Sequence, residues 1–349
     1  MHLFLSAAEP SGDLLAAELV AALPPAVSAR GLTGPALRAA GVATVARMES
    51  VVSMGVAEVL ARLPSIQRAR GALHGSLLAE GADAVVLVDA PDLHLPMAAQ
   101  ARRRGLDVVG YVSPQVWAWR PGRVEAIAAH FNQLLCLFDF EPPLYAEAAR
   151  RHGCDVRFVG HPLLDRVPRR SGVDPDLYAL LPGSRPQELL RHLPVYLDVA
   201  ARLQRERPQA RFRLRAPAGL ALPPLPPSVQ RVEALADLSA CRAALTKSGT
   251  ITLELAVMGV PMVVAHAVHP LTYGLGRMLI SGVRHIALPN ILAGASVVPE
   301  RVQDLDPAEL CRLLLDCPPS QPVDLRPLGA PGASKRAADA LVEGIRARR

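Results

Sequence analysis

Aromatic side chains make up only 4% of this 349-residue chain, and lysine occurs at just two positions, Lys247 and Lys335. The cysteines number five, Cys136, Cys154, Cys241, Cys311 and Cys317, with no C-x-x-C pair among them. Each scarcity closes off a class of protein. An odd count of scattered cysteines supports neither a secreted disulfide framework nor a structural zinc site, and reads as reduced, mostly buried thiols. No basic run is interleaved with aromatics, so the net charge of +6, nearly all of it arginine, does not point to nucleic acid. No apolar run reaches the roughly 18 residues of a membrane-spanning helix. The start, Met1-His-Leu-Phe-Leu-Ser6, lacks the charged and long apolar regions of a signal peptide. H-E-x-x-H, G-x-S-x-G, the P-loop spacing and G-x-G-x-x-G are all missing, which removes the footholds for zinc hydrolysis, acyl-serine chemistry and dinucleotide binding. The ten histidines are scattered and read as structural.

What is present is apolar surface to bury. Half the residues are hydrophobic and 20% charged, and the length matches about two domains of ~150 residues. A mean hydropathy of +0.23 without a spanning segment suggests a protein that meets a membrane surface rather than crosses it. Short apolar runs alternate with helical patterns from the start. Leu3–Ser6 reads as a strand and 13–23 as a helix; further strands are expected at 84–88, 108–112, 133–137, 157–159, 178–181, 211–215, 243–246 and 262–266. This rhythm predicts an α/β protein of two doubly wound, Rossmann-like domains facing a cleft. Turn-rich sequence at 162–175 places the break, giving domains at 1–167 and 168–330. An amphipathic helix in 331–349 is expected to return to the first domain.

Five segments at strand ends could carry chemistry. Glu9-Pro-Ser11-Gly-Asp13 opens a helix and could offer amides to an anion; its structural alternative is an N-cap by Ser11 or Asp13. Asp89-Ala-Pro-Asp92 follows the 84–88 strand, where Asp89 could act as a general base or, with its neighbours, simply form a cap and turn. Tyr111 to Arg123 gathers both tryptophans, Trp117 and Trp119, beside Arg120 and Arg123, a set suited to sugar faces and phosphates. In Pro182-Gly183-Ser184-Arg185, backbone amides and a guanidinium could approach phosphate. In Lys247-Ser248-Gly249-Thr250, a helix start with hydroxyls could bind a diphosphate without metal, and Glu254 could reach ribose hydroxyls.

Taken in order, these segments resemble the lipid-A-disaccharide synthases, glycosyltransferases of the two-domain GT-B fold. The resemblance runs through Glu9–Asp13, Met54–Leu60, Asp89–Asp92, Tyr111–Arg120, Phe140-Glu141, Phe158–Pro162, Leu181–Arg185, Ser248–Thr250 with Leu253-Glu254, Pro261–Val264, Leu288–Gly294 and Val298–Glu300. It implies transfer of 2,3-diacylglucosamine from its UDP form to 2,3-diacylglucosamine 1-phosphate, giving a β(1→6) disaccharide and UDP with inversion. Asp89 would then be the base. Arg185 and the Ser248-Gly249-Thr250 helix start would stabilise the leaving diphosphate, with Gly183 and Ser184 beside them, and Glu254 would hold the ribose. Glu9, Ser11, Asp13, Trp117, Trp119, Arg120 and Arg123 would lie on the acceptor side. No metal and no cofactor are implied. The expected partners are the two lipid-sugar substrates and the inner face of the cell membrane, approached from the cytoplasm, with a homodimer as a further expectation and nucleic acid not expected.

Several positions depart from the family pattern. Ala8 replaces a glycine, Asp139 a proline, and His94 an asparagine; a basic residue is missing at Ala295 and near Ala267. Lys247, Arg277 and Arg284 are candidates to make up the lost charge. Another UDP-hexosamine enzyme, such as an epimerase or a transferase with a different acceptor, and a non-catalytic sugar-nucleotide or lipid-binding relative stay open as alternatives. Val59, Leu60, Leu63 and Ile66, at helical spacing among arginines, form either a membrane-docking patch or a core-facing helix stripe.

Overall fold

The computed structural model describes residues 1–50, 81–117, 121–170, 172–217, 219–268 and 285–349. The proposed docking patch (Val59, Leu60, Leu63, Ile66), the 54–60 motif, Trp119, Arg120, Arg277 and Arg284 lie outside these residues. The chain forms two compact units, Met1–Asp165 with Arg326–Arg349, and Arg166–Leu325.

The first unit is built on a parallel sheet of β1 (His2–Ala7), β2 (Ser28–Thr33), β3 (Ala43–Arg47), β4 (Ala84–Val88), β5 (Val108–Tyr111), β6 (Gln133–Cys136) and β7 (Asp155–Phe158). Their spatial order is β3-β2-β1-β4-β5-β6-β7, every neighbouring pair parallel. Central strands covered on both faces carry continuous apolar runs, and all five residues of β4, Ala84-Val-Val-Leu-Val88, are buried. The helices are α1 (Pro10–Ala22), α2 (Pro35–Ala39), α3 (Pro91–Arg103), α4 (Val124–His130), α5 (Glu141–His152) and α6 (Leu163–Arg166). Phe4, Val85, Leu87, Val108, Ile127, Phe131, Leu134 and Tyr145 form one core with these elements.

The second unit holds β8 (Asp174–Leu181), β9 (Arg211–Arg215), β10 (Val229–Val232), β11 (Cys241–Thr246), β12 (Met262–His266) and β13 (Glu300–Val302), in the order β10-β9-β8-β11-β12-β13, all parallel. Its helices are α7 (Pro186–Glu206), α8 (Thr250–Met258), α9 (Leu288–Ala293) and α10 (Pro307–Leu315). The long α7 buries Leu189, Leu193, Tyr196, Val199, Ala200 and Leu203, a stripe at three- and four-residue spacing that packs on β8 and β9 side chains Tyr178, Leu180, Phe212 and Leu214.

The final helix, α11 (Ala333–Ala347), packs on α1 and β6 within the first unit. Gln133 of β6 donates from Nε2 to the Ala340 carbonyl at 3.0 Å, and Arg157 and Arg348 pair with Glu343 and Asp107 at 2.6 and 2.9 Å.

Four strands, β2, β3, β10 and β13, were not expected from sequence. All lie towards the sheet margins, where one side meets solvent and continuous apolar runs are unnecessary; Glu300-Arg-Val302 has no fully buried residue at all. The expected strand at 108–112 stops one residue early, because Val112 turns to φ +71°. All five cysteines are free and buried. Among the described residues no helix is long and apolar enough to cross a membrane.

Candidate active site

In an open parallel sheet, ligands bind beyond the carboxyl ends of the strands, where the strand order reverses. The first sheet reverses between β1 and β4, so the loops that matter are Ala8-Glu9 and Asp89-Ala90. Asp89 and Ala90 are both left-handed, with φ +52° and +47°. Neither is glycine, so each conformation costs on the order of 1 kcal/mol. A third such residue, Val112, directly follows the adjacent β5. Strained backbone therefore concentrates at this end of the sheet. The half-buried Asp89 carboxyl is pushed up from 3.8 to about 6 by burial, and the negative charge of Glu9 adds to the effect. A carboxylate with a raised pKa at a ligand-binding end is suited to accept a proton from a hydroxyl.

The other expected acceptor-side residues have varied surroundings. Glu9 is exposed and Ser11 half-buried. Neither Ser11 nor Asp13 caps α1, which begins without a side-chain cap. The buried Asp13 carboxylate instead accepts from the amides of Gly34, Ala36 and Leu37 at 2.8, 2.7 and 3.3 Å, so it caps α2. Both of its oxygens are thereby engaged at that helix start. Trp117 donates from Nε1 to Glu141 Oε1 at 3.2 Å and stands edge-on to Phe138 and Phe140. Arg123 pairs with Asp92 at 2.5 Å.

Glu141 is a functional candidate that sequence reading passed over. It is buried at the start of α5, takes the Leu137 and Phe138 amides at 3.1 Å each, and is pushed up to about 7 by burial. The signal is the Phe140-Glu141 pair itself, an acidic residue in the first turn of the helix that follows β6. His94, where the resemblance has asparagine, is buried directly behind Asp89, its Nδ1 2.6 Å from the Asp89 carbonyl.

The second sheet reverses between β8 and β11, which brings together 182–185 and 247–250. Gly183 has φ +130°, and a Cβ there would lie 2.4 Å from Glu188 Oε2. Glu188 fills the space a larger residue would need. Its Oε2 accepts from the Ser184 and Arg185 amides at 2.9 and 3.3 Å, and its Oε1 takes Lys247 Nζ at 3.0 Å. Burial works against this charge, yet Lys247 and the Ser184 amide hold the carboxyl below its ordinary value. Two of the amides expected to approach phosphate, those of Ser184 and Arg185, are thus engaged by an internal carboxylate. The Arg185 side chain is exposed.

Ser248 donates its hydroxyl to the Ile286 carbonyl at 2.6 Å. Gly249 has φ +145°, and α8 starts at Thr250 with no side-chain cap. Thr252 donates to Gly249 O at 2.8 Å and accepts from the Leu288 amide at 3.3 Å, tying the helix start to α9. Glu254 lies 3.5 Å from Arg166 and 3.9 Å from Arg215. At the two positions lacking a basic side chain, Ala267 donates its amide to His192 Nε2 and Ala295 donates its amide to the Asn290 carbonyl. Lys247, a candidate to make up that charge, is committed to Glu188. Among the described residues no group of three or more histidine, cysteine or acidic side chains could hold a metal ion.

The family model described as Lipid-A-disaccharide synthetase matches residues 3–312. The lipid-A-disaccharide synthase of Geobacter sulfurreducens is 40% identical over 326 residues, covering 87% of this chain and 84% of the relative. Among solved structures, the UDP-GlcNAc 2-epimerase of Neisseria meningitidis bound to UDP-GlcNAc superposes with a TM-score of 0.59 at 10% identity, covering 98% of this chain and 99% of that one. The glycosyltransferase SnogD of Streptomyces nogalater gives 0.56 at 20% identity, covering 98% and 99%. These two likenesses speak to the fold alone, so the epimerase alternative is matched at that level only. With the family model spanning nearly nine-tenths of its length and a relative of this identity beside it, the chain belongs to the lipid-A-disaccharide synthase family.

Proposed function

We propose that this chain is an inverting glycosyltransferase that moves 2,3-diacylglucosamine from UDP to the 6-hydroxyl of 2,3-diacylglucosamine 1-phosphate. The observation that carries the mechanism is Asp89, a half-buried carboxylate at the first sheet's reversal with its pKa raised to about 6. Asp89 takes the 6-hydroxyl proton as O6 attacks the anomeric carbon of the donor. The bond from that carbon to the UDP oxygen breaks, and UDP leaves with the electron pair. Attack opposite the leaving group inverts the centre to the β(1→6) linkage.

Charge then builds on the departing diphosphate. The exposed Arg185 guanidinium and the uncapped start of α8 are the groups that answer it, an electrostatic role that replaces a divalent cation. Glu254 holds the ribose hydroxyls, oriented by Arg166 and Arg215. Glu9, Ser11, Trp117 and Arg123 serve the acceptor, with Trp119 and Arg120. Both substrates are acylated, so the protein works at a membrane surface on the cytoplasmic side, with the Val59, Leu60, Leu63 and Ile66 stripe as its docking patch.

Asp89→Asn tests the assignment. The variant is expected to bind UDP as the parent does and to turn over about 10²–10⁴-fold more slowly, the usual contribution of a general base. Normal turnover with normal UDP binding contradicts it.

A further inference from the structure

Asp89 is held at both ends of its backbone. Its amide donates to the Tyr111 carbonyl of β5 at 3.1 Å, and its carbonyl lies 2.6 Å from His94 Nδ1. A carbonyl only accepts, so the proton on the ring sits at Nδ1. The other nitrogen, Nε2, lies 2.9 Å from the Ser6 hydroxyl of β1. His94 is 1% exposed and Ser6 0%. Burial drives the imidazole down to about 4, so it is neutral at working pH. A neutral ring with its proton on Nδ1 has a bare Nε2, which accepts from the serine hydroxyl.

This ring therefore joins the two strands that flank the reversal, β1 through Ser6 and the end of β4 through Asp89. The carbonyl it grips belongs to the first of two successive left-handed, non-glycine residues. Such a backbone persists only where its surroundings over-determine it. A satisfied core histidine could bond any carbonyl; this one bonds the peptide whose conformation sets the direction of the Asp89 side chain. An aliphatic residue of similar bulk would leave that carbonyl without its donor and free the turn to relax.

We propose that His94 is a positioning residue for the transfer reaction: by bridging Ser6 and the Asp89 carbonyl it fixes the left-handed turn that aims the Asp89 carboxylate. The proposal rests on reading Asp89 as the base, and it concerns a position where this chain departs from the asparagine usual in the sequences it resembles. Asparagine retains one amide donor for the Asp89 carbonyl; leucine retains none.

The full-length protein is assayed with both lipid-sugar substrates as His94→Leu, His94→Asn, Ser6→Ala and Asp89→Asn. His94→Leu is expected to lower kcat about 10–100-fold, the scale of a small misplacement of a reacting group, with both KM values and UDP affinity within about threefold of the parent. His94→Asn is expected to recover most of that loss. Ser6→Ala removes one end of the bridge and is expected to fall between parent and His94→Leu, which keeps the test decisive if the leucine variant folds poorly. The acid limb of the pH profile should move down in His94→Leu and stay in place in His94→Asn. If kcat stays within about threefold in both His94→Leu and Ser6→Ala while Asp89→Asn is inactive, the positioning role is overturned and the base assignment stands. It is equally overturned if His94→Leu and His94→Asn lose kcat alike while both KM values rise. Normal turnover by Asp89→Asn overturns the base assignment beneath it.

Discussion

Lys247 Nζ lies 3.0 Å from Glu188 Oε1, and the other oxygen of the same carboxylate takes the Ser184 and Arg185 amides. One half-buried ion pair thus ties the loop after β8 to the loop after β11, the two segments that flank the reversal of the second sheet. Removing one partner leaves the other charge poorly solvated. Lys247→Met is expected to raise the KM for the UDP-sugar about tenfold and to weaken inhibition by UDP similarly, with KM for the acceptor unchanged. Steady-state kinetics with UDP as product inhibitor measure both.

Asp89 also predicts pH dependence. A general base must be ionised, so kcat/KM should fall below an acid limb near pH 6, the value to which burial and Glu9 raise this carboxyl. Stability runs the other way. In the unfolded chain the group titrates near 3.8, so its ionisation opposes folding increasingly from about pH 4 up to about 6 and fully above that. Asp89→Asn removes the penalty, on the order of 1–3 kcal/mol, and should raise Tm at about pH 8. The gain should vanish near pH 3.5 on the same melting curves.

Asp13 is expected to matter for folding rather than chemistry. It is 2% exposed and satisfies three amides at the start of α2. Asp13→Ala should cost about 2 kcal/mol or more in urea unfolding, with the kcat of the folded fraction unchanged.

Gly183 is required by both conformation and space. With φ +130° and the Glu188 side chain 2.4 Å from where a Cβ would stand, Gly183→Ala must displace that carboxylate from the Ser184 and Arg185 amides. The expected result is a donor KM raised about tenfold or more, read in the same kinetic assay.

Much of the fold is legible in sequence because the central strands are buried on both faces. Ala84–Val88, Arg211–Arg215 and Met262–His266 stand where their apolar or alternating runs put them. The marginal strands escape, since Ser28–Thr33 or Val229–Val232 need only part of a buried face. Site residues follow a similar logic. Asp89, Ser184 and Ser248 announce themselves as polar residues next to strand ends, but sequence does not say which groups are already spoken for. That Asp13 caps a helix 21 residues away and Glu188 fills its own loop are tertiary facts. His94 carries no sequence pattern of its own; its meaning comes from Ser6, 88 residues earlier.

The central claim is a two-substrate transfer, and UDP release tests it most directly. Purified protein is supplied with UDP-2,3-diacylglucosamine, with and without 2,3-diacylglucosamine 1-phosphate, and the product is analysed by mass spectrometry and NMR. UDP released only when the acceptor is present, together with a β(1→6)-linked disaccharide 1-phosphate, is the predicted result. UDP release at the same rate without acceptor, or a product with another linkage, would contradict it.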